Sequence, residues 1–304
     1  MASVSLQQSY LACRQVTRRA SSTFWLATLM FDLDTRRSIR ALYAFCRVAD
    51  DISDTGDLSR SERIARLRAM RQAIISRQPA SISPDIWPAV FDTIDRHKLP
   101  LKELETVLRG VAQDINFRQP TTLSELDAYS YMVAGVVGIL SARVLGGYRK
   151  ATLEGAKQLG IAMQYTNIIR DVSADSHINR VYLPLSVMRV QGLSPKDLST
   201  GQNQVGLQRT LATLAKRAEI YYEHAETSIN DLHPSYQLGV RVALELYRAI
   251  LERTKQKRYT VTEGRIRLNR REKIALVWRV YQNQRPNTSR HAIKTSSQHS
   301  HRSN

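Results

Sequence analysis

The stretch YAFCRVADDISD, residues 43–54, places three aspartates within five positions of a sequence that otherwise has the character of a buried helix. Its charged and aromatic side chains recur at intervals of 4, 3 and 4 residues, which places them on one face of an α-helix. The remaining faces are largely apolar, so the helix is predicted to be buried around much of its circumference. Because unpaired charge is costly to bury, such a row must line a cavity or bind a ligand. The row consists of Tyr43, Arg47, Asp50 and Asp54.

A second stretch, GIAMQYTNIIRDVSADSHINRVYLP at residues 160–184, repeats the pattern on another apolar helix. Polar side chains recur there at intervals of 3, 4 and 4 residues. An isolated pair of aspartates is most simply a solvated helix face, and that interpretation suits the glutamates of residues 219–226, which lie beside Lys216 and Arg217. Two matching rows on two apolar helices favour a shared site instead. The second row consists of Gln164, Asn167, Asp171 and Asp175.

Carboxylates that face one another across a cavity repel at neutral pH unless cations lie between them. Oxygen ligands without histidine or thiolate nearby suit Mg²⁺, with Mn²⁺ as an alternative, and these ions complete their coordination shell with water and phosphate oxygens. A di-iron bundle would require Glu-x-x-His pairs, which these helices lack. The two rows therefore indicate a site for a divalent cation and a phosphorylated substrate.

The composition is typical of a soluble, mostly helical globular protein, with 42% hydrophobic and 24% charged residues among 304. Lys and Arg number 45 against 27 Asp and Glu, and the net charge of +18 favours anionic partners. Cys13 and Cys46 form no disulfide or zinc pattern, which predicts a cytoplasmic location. The longest apolar run, residues 133–140, is far shorter than the roughly 18 to 20 residues of a membrane span. The acid-free first 31 residues also resemble an organelle transit peptide, an alternative disfavoured because they supply site residues.

Helical periodicity dominates the chain and strand alternation is scarce, which predicts an all-α fold. Turn-rich pieces, among them residues 183–197, separate the helices. From Pro286 onward the sequence is polar and basic, so a disordered tail is predicted for residues 286–304 after a folded domain of residues 1–285. The predicted helices are 6–19, 35–54, 59–76, 87–97, 101–113, 123–145, 153–175, 205–232 and 235–253.

With both rows in view, the sequence resembles the squalene and phytoene synthase family, the head-to-head trans-isoprenyl diphosphate synthases. The resemblance extends over roughly residues 5–282 and implies a single-domain, all-α helical bundle of the isoprenoid-synthase type around a deep apolar cavity. Residues 1–285 would then form the catalytic domain. The matching segments are YAFCRVADDISD, QYTNIIRDVSAD followed by NRVYLP, ASSTFW (20–25), YSYMVAGVVG (129–138) and LELYRAIL (244–251).

The resemblance also implies roles for individual residues, since the family's motifs match positions of this chain. The four aspartates that would hold Mg²⁺ and act in catalysis are Asp50, Asp54, Asp171 and Asp175, joined in catalysis by Tyr43 and Arg47. Contacts to the diphosphate or to the metal shell are implied for Ser21, Thr23, Arg47, Gln164 and Asn167. Positions near the second diphosphate and the migrating cation are Tyr43, Tyr131, Tyr247 and Arg265. The small residues Ala134, Gly135 and Gly138 either leave room for a prenyl chain or allow close helix packing.

The reaction implied by the resemblance is the Mg²⁺-dependent condensation of two prenyl diphosphates through a cyclopropylcarbinyl diphosphate. The pattern favours a phytoene synthase acting on geranylgeranyl diphosphate without NADPH. The alternatives are a C15-specific squalene, dehydrosqualene or presqualene diphosphate synthase, and a non-catalytic relative acting as an assembly factor. Expected partners are the prenyl diphosphates, an anionic membrane surface bound peripherally, and other isoprenoid pathway enzymes. No nucleic-acid partner is expected, because no basic recognition motif stands out.

Overall fold

The computed structural model of the protein describes residues 4–260 and 265–284, and within these ranges all regular secondary structure is helical. Short 3₁₀ segments occupy Pro84–Ile86 and Ile229–Asp231, and a π-helical segment, Tyr131–Gly135, joins two α-helices into one continuous rod. The predicted disordered tail lies outside the described residues. The α-helices are α1 (Leu6–Ala20), α2 (Ser22–Thr28), α3 (Leu33–Asp54), α4 (Arg60–Ser76), α5 (Trp87–Arg96), α6 (Leu101–Ile115), α7 (Leu123–Ser130), α8 (Val136–Val144), α9 (Lys150–His177), α10 (Leu185–Val190), α11 (Pro195–Thr200), α12 (Gln204–Ser228), α13 (Pro234–Gln256) and α14 (Arg270–Gln284).

Every long helix predicted from periodicity is present, with its ends shifted by a few residues. Residues 183–197, predicted as a turn-rich break between helices, contain α10 and the first residues of α11. Helices α2 and α14 were also missed. The first three of these helices span only six or seven residues, too few for a 3.6-residue period to emerge. Helix α14 was missed because its apolar residues are spread over more than one face.

The start of α3 is fixed by Asp32, whose side chain accepts hydrogen bonds from the backbone N–H groups of Asp34 (3.1 Å) and Thr35 (3.0 Å). This N-cap satisfies two donors that have no partner within the helix. Downstream, Phe45 is completely buried and packs edge-on against the Trp87 ring at a centroid distance of 6.3 Å. The cap and this contact orient the face of α3 that carries the first aspartate row.

Helix α9 packs against the rod formed by α7, the π segment and α8, with glycines at the closest approach. A Cβ added at Gly138 would lie 2.0 Å from the carbonyl oxygen of Ala156, and one added at Gly160 would lie 2.2 Å from that of Ala134. Only residues without a side chain fit at these two positions. Ala134 and Gly138 also line the central cavity, whereas Gly135 does not. The small residues Ala134 and Gly138 therefore serve both purposes: they lie where α9 packs closely on the rod, and they leave space in the cavity.

The rod Leu123–Val144 is long and apolar enough to cross a membrane by length and composition alone. This is weak evidence for a span, because core helices meet the same criterion. Val136 and Leu140 of the rod are fully buried, and Val133 and Val137 line the cavity. Packing and the cavity wall therefore account for these four apolar positions, although only 28% of the apolar window of the rod is buried.

Candidate active site

A deep apolar cavity lies between α2, α3, the rod and α9, with α12 and α13 completing its wall. Along α9 the lining positions extend from Thr152 to Asn167, a distance of about 22 Å at 1.5 Å per residue. Most of the lining is apolar, and the charged or amide side chains are confined to Asp50, Gln164 and Asn167. The cavity thus combines a long apolar channel with a polar end at the aspartate rows.

The two aspartate rows meet at this polar end. Arg180, which follows α9, donates from Nη1 to Asp54 Oδ1 (2.6 Å) and from Nη2 to the Ser53 carbonyl oxygen (2.9 Å), so it ties the end of α3 to the end of α9. Burial, with the negative charges of Asp171 and Asp54, raises the pKa of Asp175 to about 7 against the opposing effect of Arg180. Carboxylates of both rows therefore share one electrostatic environment.

Asp50 is the deepest carboxylate of the first row. Burial is the main cause that raises its pKa to about 7, and neighbouring carboxylates contribute to the rise against the opposing charge of Arg47. Arg47 forms its ion pair with Asp51, which lies off the row. Asp50 is consequently a half-buried acid whose ionised form is disfavoured in the metal-free protein.

Asp171 has the opposite environment. It accepts paired hydrogen bonds from Arg170 (2.8 and 2.6 Å) and from Arg265 (2.8 and 2.8 Å). Burial alone would raise the pKa of Asp171, but the two guanidinium groups hold it below its usual range. Asp171 is therefore ionised and held rigidly at neutral pH.

Three aromatic rings stand next to the polar end of the cavity. Tyr43 stacks on Phe24 with a centroid distance of 4.6 Å, and both line the cavity together with Tyr247. Ser21 caps α2 by accepting a hydrogen bond from the Phe24 N–H (3.1 Å), which fixes the ring beneath Tyr43. Burial, with the nearby Tyr247, raises the pKa of Tyr43 and keeps its hydroxyl protonated.

The remaining predicted residues are distributed unevenly around the site. Gln164 and Asn167 line the cavity beside Asp50, as expected for contacts near a diphosphate. Thr23, in the first turn of α2, and Tyr131, which is 36% exposed, are not among the lining residues. The structure brings most of the predicted residues together, and their individual roles stay predictions.

Asp114 of α6 is a site residue that the sequence reasoning missed. It accepts hydrogen bonds from the hydroxyls of Tyr129 (2.9 Å) and Tyr182 (2.8 Å), and burial raises its pKa to about 6 despite these bonds. The sequence does contain a sign of this residue's role, because Asp114 is an acid within an apolar stripe. Val107, Val111 and Asp114 are spaced 4 and 3 residues apart and lie on one helix face. Asp114 adds a third helix to the acidic end of the cavity.

The donor set at this end fits a hard divalent cation. Asp50, Asp114 and Asp175 are half-buried carboxylates whose pKa values are raised, chiefly by burial, to about 7, 6 and 7, so a bound cation would stabilise their ionised forms. Within residues 4–260 and 265–284, no three His, Cys, Asp or Glu side chains are close enough to form a complete metal site. Water and substrate oxygens would have to complete the shell, which is the usual arrangement for Mg²⁺.

The raised pKa of Asp50 predicts that Asp50→Asn stabilises the metal-free protein. Because the folded pKa of about 7 lies above the unfolded value of about 3.9, the destabilising effect of the charge is absent below about pH 4 and complete above about pH 7. Thermal melts with a chelator should show a higher Tm for Asp50→Asn than for the wild type at pH 8, and little difference at pH 4.5.

Asp127 provides the matched control. Its carboxylate accepts hydrogen bonds from Arg217 (2.9 Å) and Tyr165 (2.6 Å), and these partners lower its pKa despite burial. Asp127→Asn should therefore lower the Tm at pH 8, because Arg217 loses its counter-ion. A similar loss of stability in Asp50→Asn at pH 8 would identify Asp50 as a compensated structural acid and contradict a cation site.

Comparison with known proteins gives consistent matches along most of the chain. The family model described as squalene/phytoene synthase matches residues 17–272. The phytoene synthase of Arthrospira platensis is 32% identical over 273 residues, covering 84% of this chain and 87% of that protein. The 15-cis-phytoene synthase of Synechocystis sp. is 33% identical over 275 residues, covering 86% and 81%. A crystal structure of a dehydrosqualene synthase in complex with ligand has a TM-score of 0.83 at 28% identity, covering 91% of this chain and 97% of that one. The prediction of an all-α bundle is confirmed.

Proposed function

Because the chain belongs to the squalene/phytoene synthase family of prenyltransferases, we propose that it condenses two molecules of geranylgeranyl diphosphate head to head into phytoene, a step of carotenoid biosynthesis. The observation that carries this proposal is the acid-rich end of a long apolar cavity, because a prenyl diphosphate combines a polyanionic head with an apolar tail. The two relatives named phytoene synthases, at 32% and 33% identity, support the C20 substrate. The likeness to a dehydrosqualene synthase supports the C15 alternative less strongly, at 28% identity.

The residues at the polar end of the cavity, which forms its mouth, are suited to the departure of diphosphate. Mg²⁺ held by Asp50 and Asp175, with Asp54 and Asp171 beside them, would neutralise the charge that develops on the leaving group. Arg265 is 48% exposed and is the mouth guanidinium most accessible to an incoming diphosphate, whereas Arg170 and Arg180 are only 11% exposed. Arg170 therefore keeps Asp171 in place, while the N–H groups of Arg265 that are not bonded to Asp171 can donate hydrogen bonds to substrate oxygens.

The apolar and aromatic residues of the cavity wall are suited to stabilising a carbocation intermediate. Loss of diphosphate from one substrate leaves an allylic cation whose C1 is attacked by the double bond of the second substrate. The tertiary cation that results loses a proton as the cyclopropane ring closes, which gives the cyclopropylcarbinyl diphosphate. This intermediate loses its own diphosphate, rearranges and loses a second proton, so no hydride from NADPH is required. The aromatic rings of Phe24, Tyr43 and Tyr247 can stabilise positive charge in a channel that excludes water. Tyr43 stays protonated because its pKa is raised, which leaves the released diphosphate as the better proton acceptor.

Product analysis distinguishes the candidate functions. Purified protein with Mg²⁺ and without NADPH should convert the C20 diphosphate to phytoene and use the C15 diphosphate much more slowly, because the long apolar channel accommodates the longer tail. Hydrocarbons or presqualene diphosphate formed mainly from the C15 substrate would replace the proposal by its alternative. Binding of either substrate without turnover would favour a non-catalytic relative.

The proposal extends to a cytoplasmic protein bound peripherally to an anionic membrane, in contact with other isoprenoid pathway enzymes. The net charge of +18 and the lipidic nature of substrate and product support membrane proximity. The same charge does not require nucleic acid, because the substrates themselves are polyanionic.

A further inference from the structure

The last described helix, α14, carries an apolar row on the side that faces away from the core. Leu276 and Val280 are buried against the rest of the protein, whereas Ile274 is 54%, Trp278 58% and Tyr281 36% exposed. The three exposed residues are spaced 4 and 3 positions apart and therefore form one stripe. The rings of Trp278 and Tyr281 lie 5.9 Å apart. We refer to Ile274, Trp278 and Tyr281 as the outer row.

The surroundings of the outer row are strongly basic. Residues 265–284 contain six Lys and Arg residues and a single acid, Glu272, which accepts a hydrogen bond from Arg253 (2.7 Å). Arg270, Arg271 and Arg279 are exposed next to the row. By sequence, residues 285–304 add four more basic residues and no acid. Aromatic and aliphatic side chains flanked by Arg and Lys are suited to the headgroup region of an anionic bilayer.

Helix α14 and the segment that precedes it each contact the region around the polar end of the cavity. The Lys273 Nζ donates to Ser22 Oγ (2.7 Å) at the start of α2, one residue from the cap that fixes Phe24. Arg265, five residues before α14, is the guanidinium that bonds Asp171. A surface that binds α14 is therefore held close to the polar end of the cavity.

We propose that α14 docks on an anionic phospholipid bilayer, with the outer row inserted at the headgroup boundary and Arg270 and Arg271 paired with lipid phosphates. A second copy of the chain is a poorer occupant, because a twofold interface would bring the same basic face against itself. The docking itself does not depend on the proposed function. Only its purpose does, since docking would place the cavity mouth where an amphiphilic prenyl diphosphate resides.

Vesicle flotation with the full chain tests this docking surface. Trp278→Ser should weaken binding to phosphatidylglycerol-containing vesicles about tenfold. Tyr148→Ser is the matched control, because Tyr148 is an aromatic residue with the same exposed fraction of 58%, and it should bind like the wild type. Arg271→Glu should weaken binding about tenfold at low salt, and Arg68→Glu, an exposed arginine on α4, clearly less.

The outcomes separate docking from catalysis. Trp278→Ser should keep wild-type turnover of detergent-dispersed substrate and lose turnover only when the substrate is delivered in vesicles. Vesicle binding that is unchanged in Trp278→Ser would overturn the proposal, as would a wild-type dimer in solution that Trp278→Ser dissociates. Absence of turnover in both assays, with Trp278-dependent vesicle binding intact, would refute the proposed function and still support docking.

Discussion

Asp50→Asn and Asp171→Asn should each abolish turnover, lowering kcat by at least about 10³-fold while the helical content stays unchanged. Asp50 is a half-buried carboxylate whose pKa is raised to about 7, chiefly by burial, and Asp171 is the ionised centre of a pair of arginines. An amide of the same shape removes negative charge that holds Mg²⁺ or lies beside it, and the helices should still form. Asp171→Asn should also lower the Tm, because Arg170 and Arg265 lose their counter-ion. The measurements are Mg²⁺-dependent hydrocarbon formation and far-ultraviolet circular dichroism.

An exposed acid elsewhere serves as control for this prediction. Glu223 of α12 lies on the surface in a cluster of glutamates, and Glu223→Gln should retain the wild-type rate. A near-normal rate in either aspartate variant would show that the metal assignment is wrong. Loss of helical content together with activity would instead indicate a structural role for that carboxylate.

Gly160→Ala should destabilise the protein by roughly 3 kcal/mol or more, because the new Cβ would lie 2.2 Å from the carbonyl oxygen of Ala134. Helix propensity alone would make the same substitution favourable by about 1 kcal/mol. The sign of the effect therefore reports directly on the close contact between α9 and the rod. Urea unfolding of the purified variant measures it.

Gly56→Ala is the corresponding control, since no atom lies within 4 Å of a Cβ built at Gly56. Its free energy of unfolding should remain within about 1 kcal/mol of the wild type. A stability gain in Gly160→Ala of the size expected from helix propensity would contradict the observed packing of α9 on the rod.

The long helices and the two acidic rows were predictable from sequence, because both depend on a local period of 3.6 residues. Asp50 and Asp171 stand out for the same reason, since each interrupts an otherwise apolar helix. The partner of Asp171 was not predictable, because Arg265 lies 94 residues away and is brought to it only by the tertiary fold. Asp114 was missed because a single acid on one apolar stripe has no second row to compare with.

The glutamates of α12 illustrate the same limit. Spacing suggested ion pairs with the neighbouring Lys216 and Arg217, but the structure pairs Glu219 with Lys255 and Glu226 with Arg248 (3.0 Å), both on α13. Local sequence identifies a charged helix face and does not identify the helix that packs beside it. The interpretation of this cluster as a surface face with ion pairs remains valid, with different partners.

The most direct measurement is anomalous diffraction from crystals grown with Mn²⁺ and inorganic diphosphate. The ion should lie between the two rows, about 2.1 Å from carboxylate oxygens that include those of Asp50 or Asp175, with diphosphate oxygens completing its shell. Mn²⁺ bound only outside the mouth, or diphosphate held by arginines with no ion between the rows, would contradict the account.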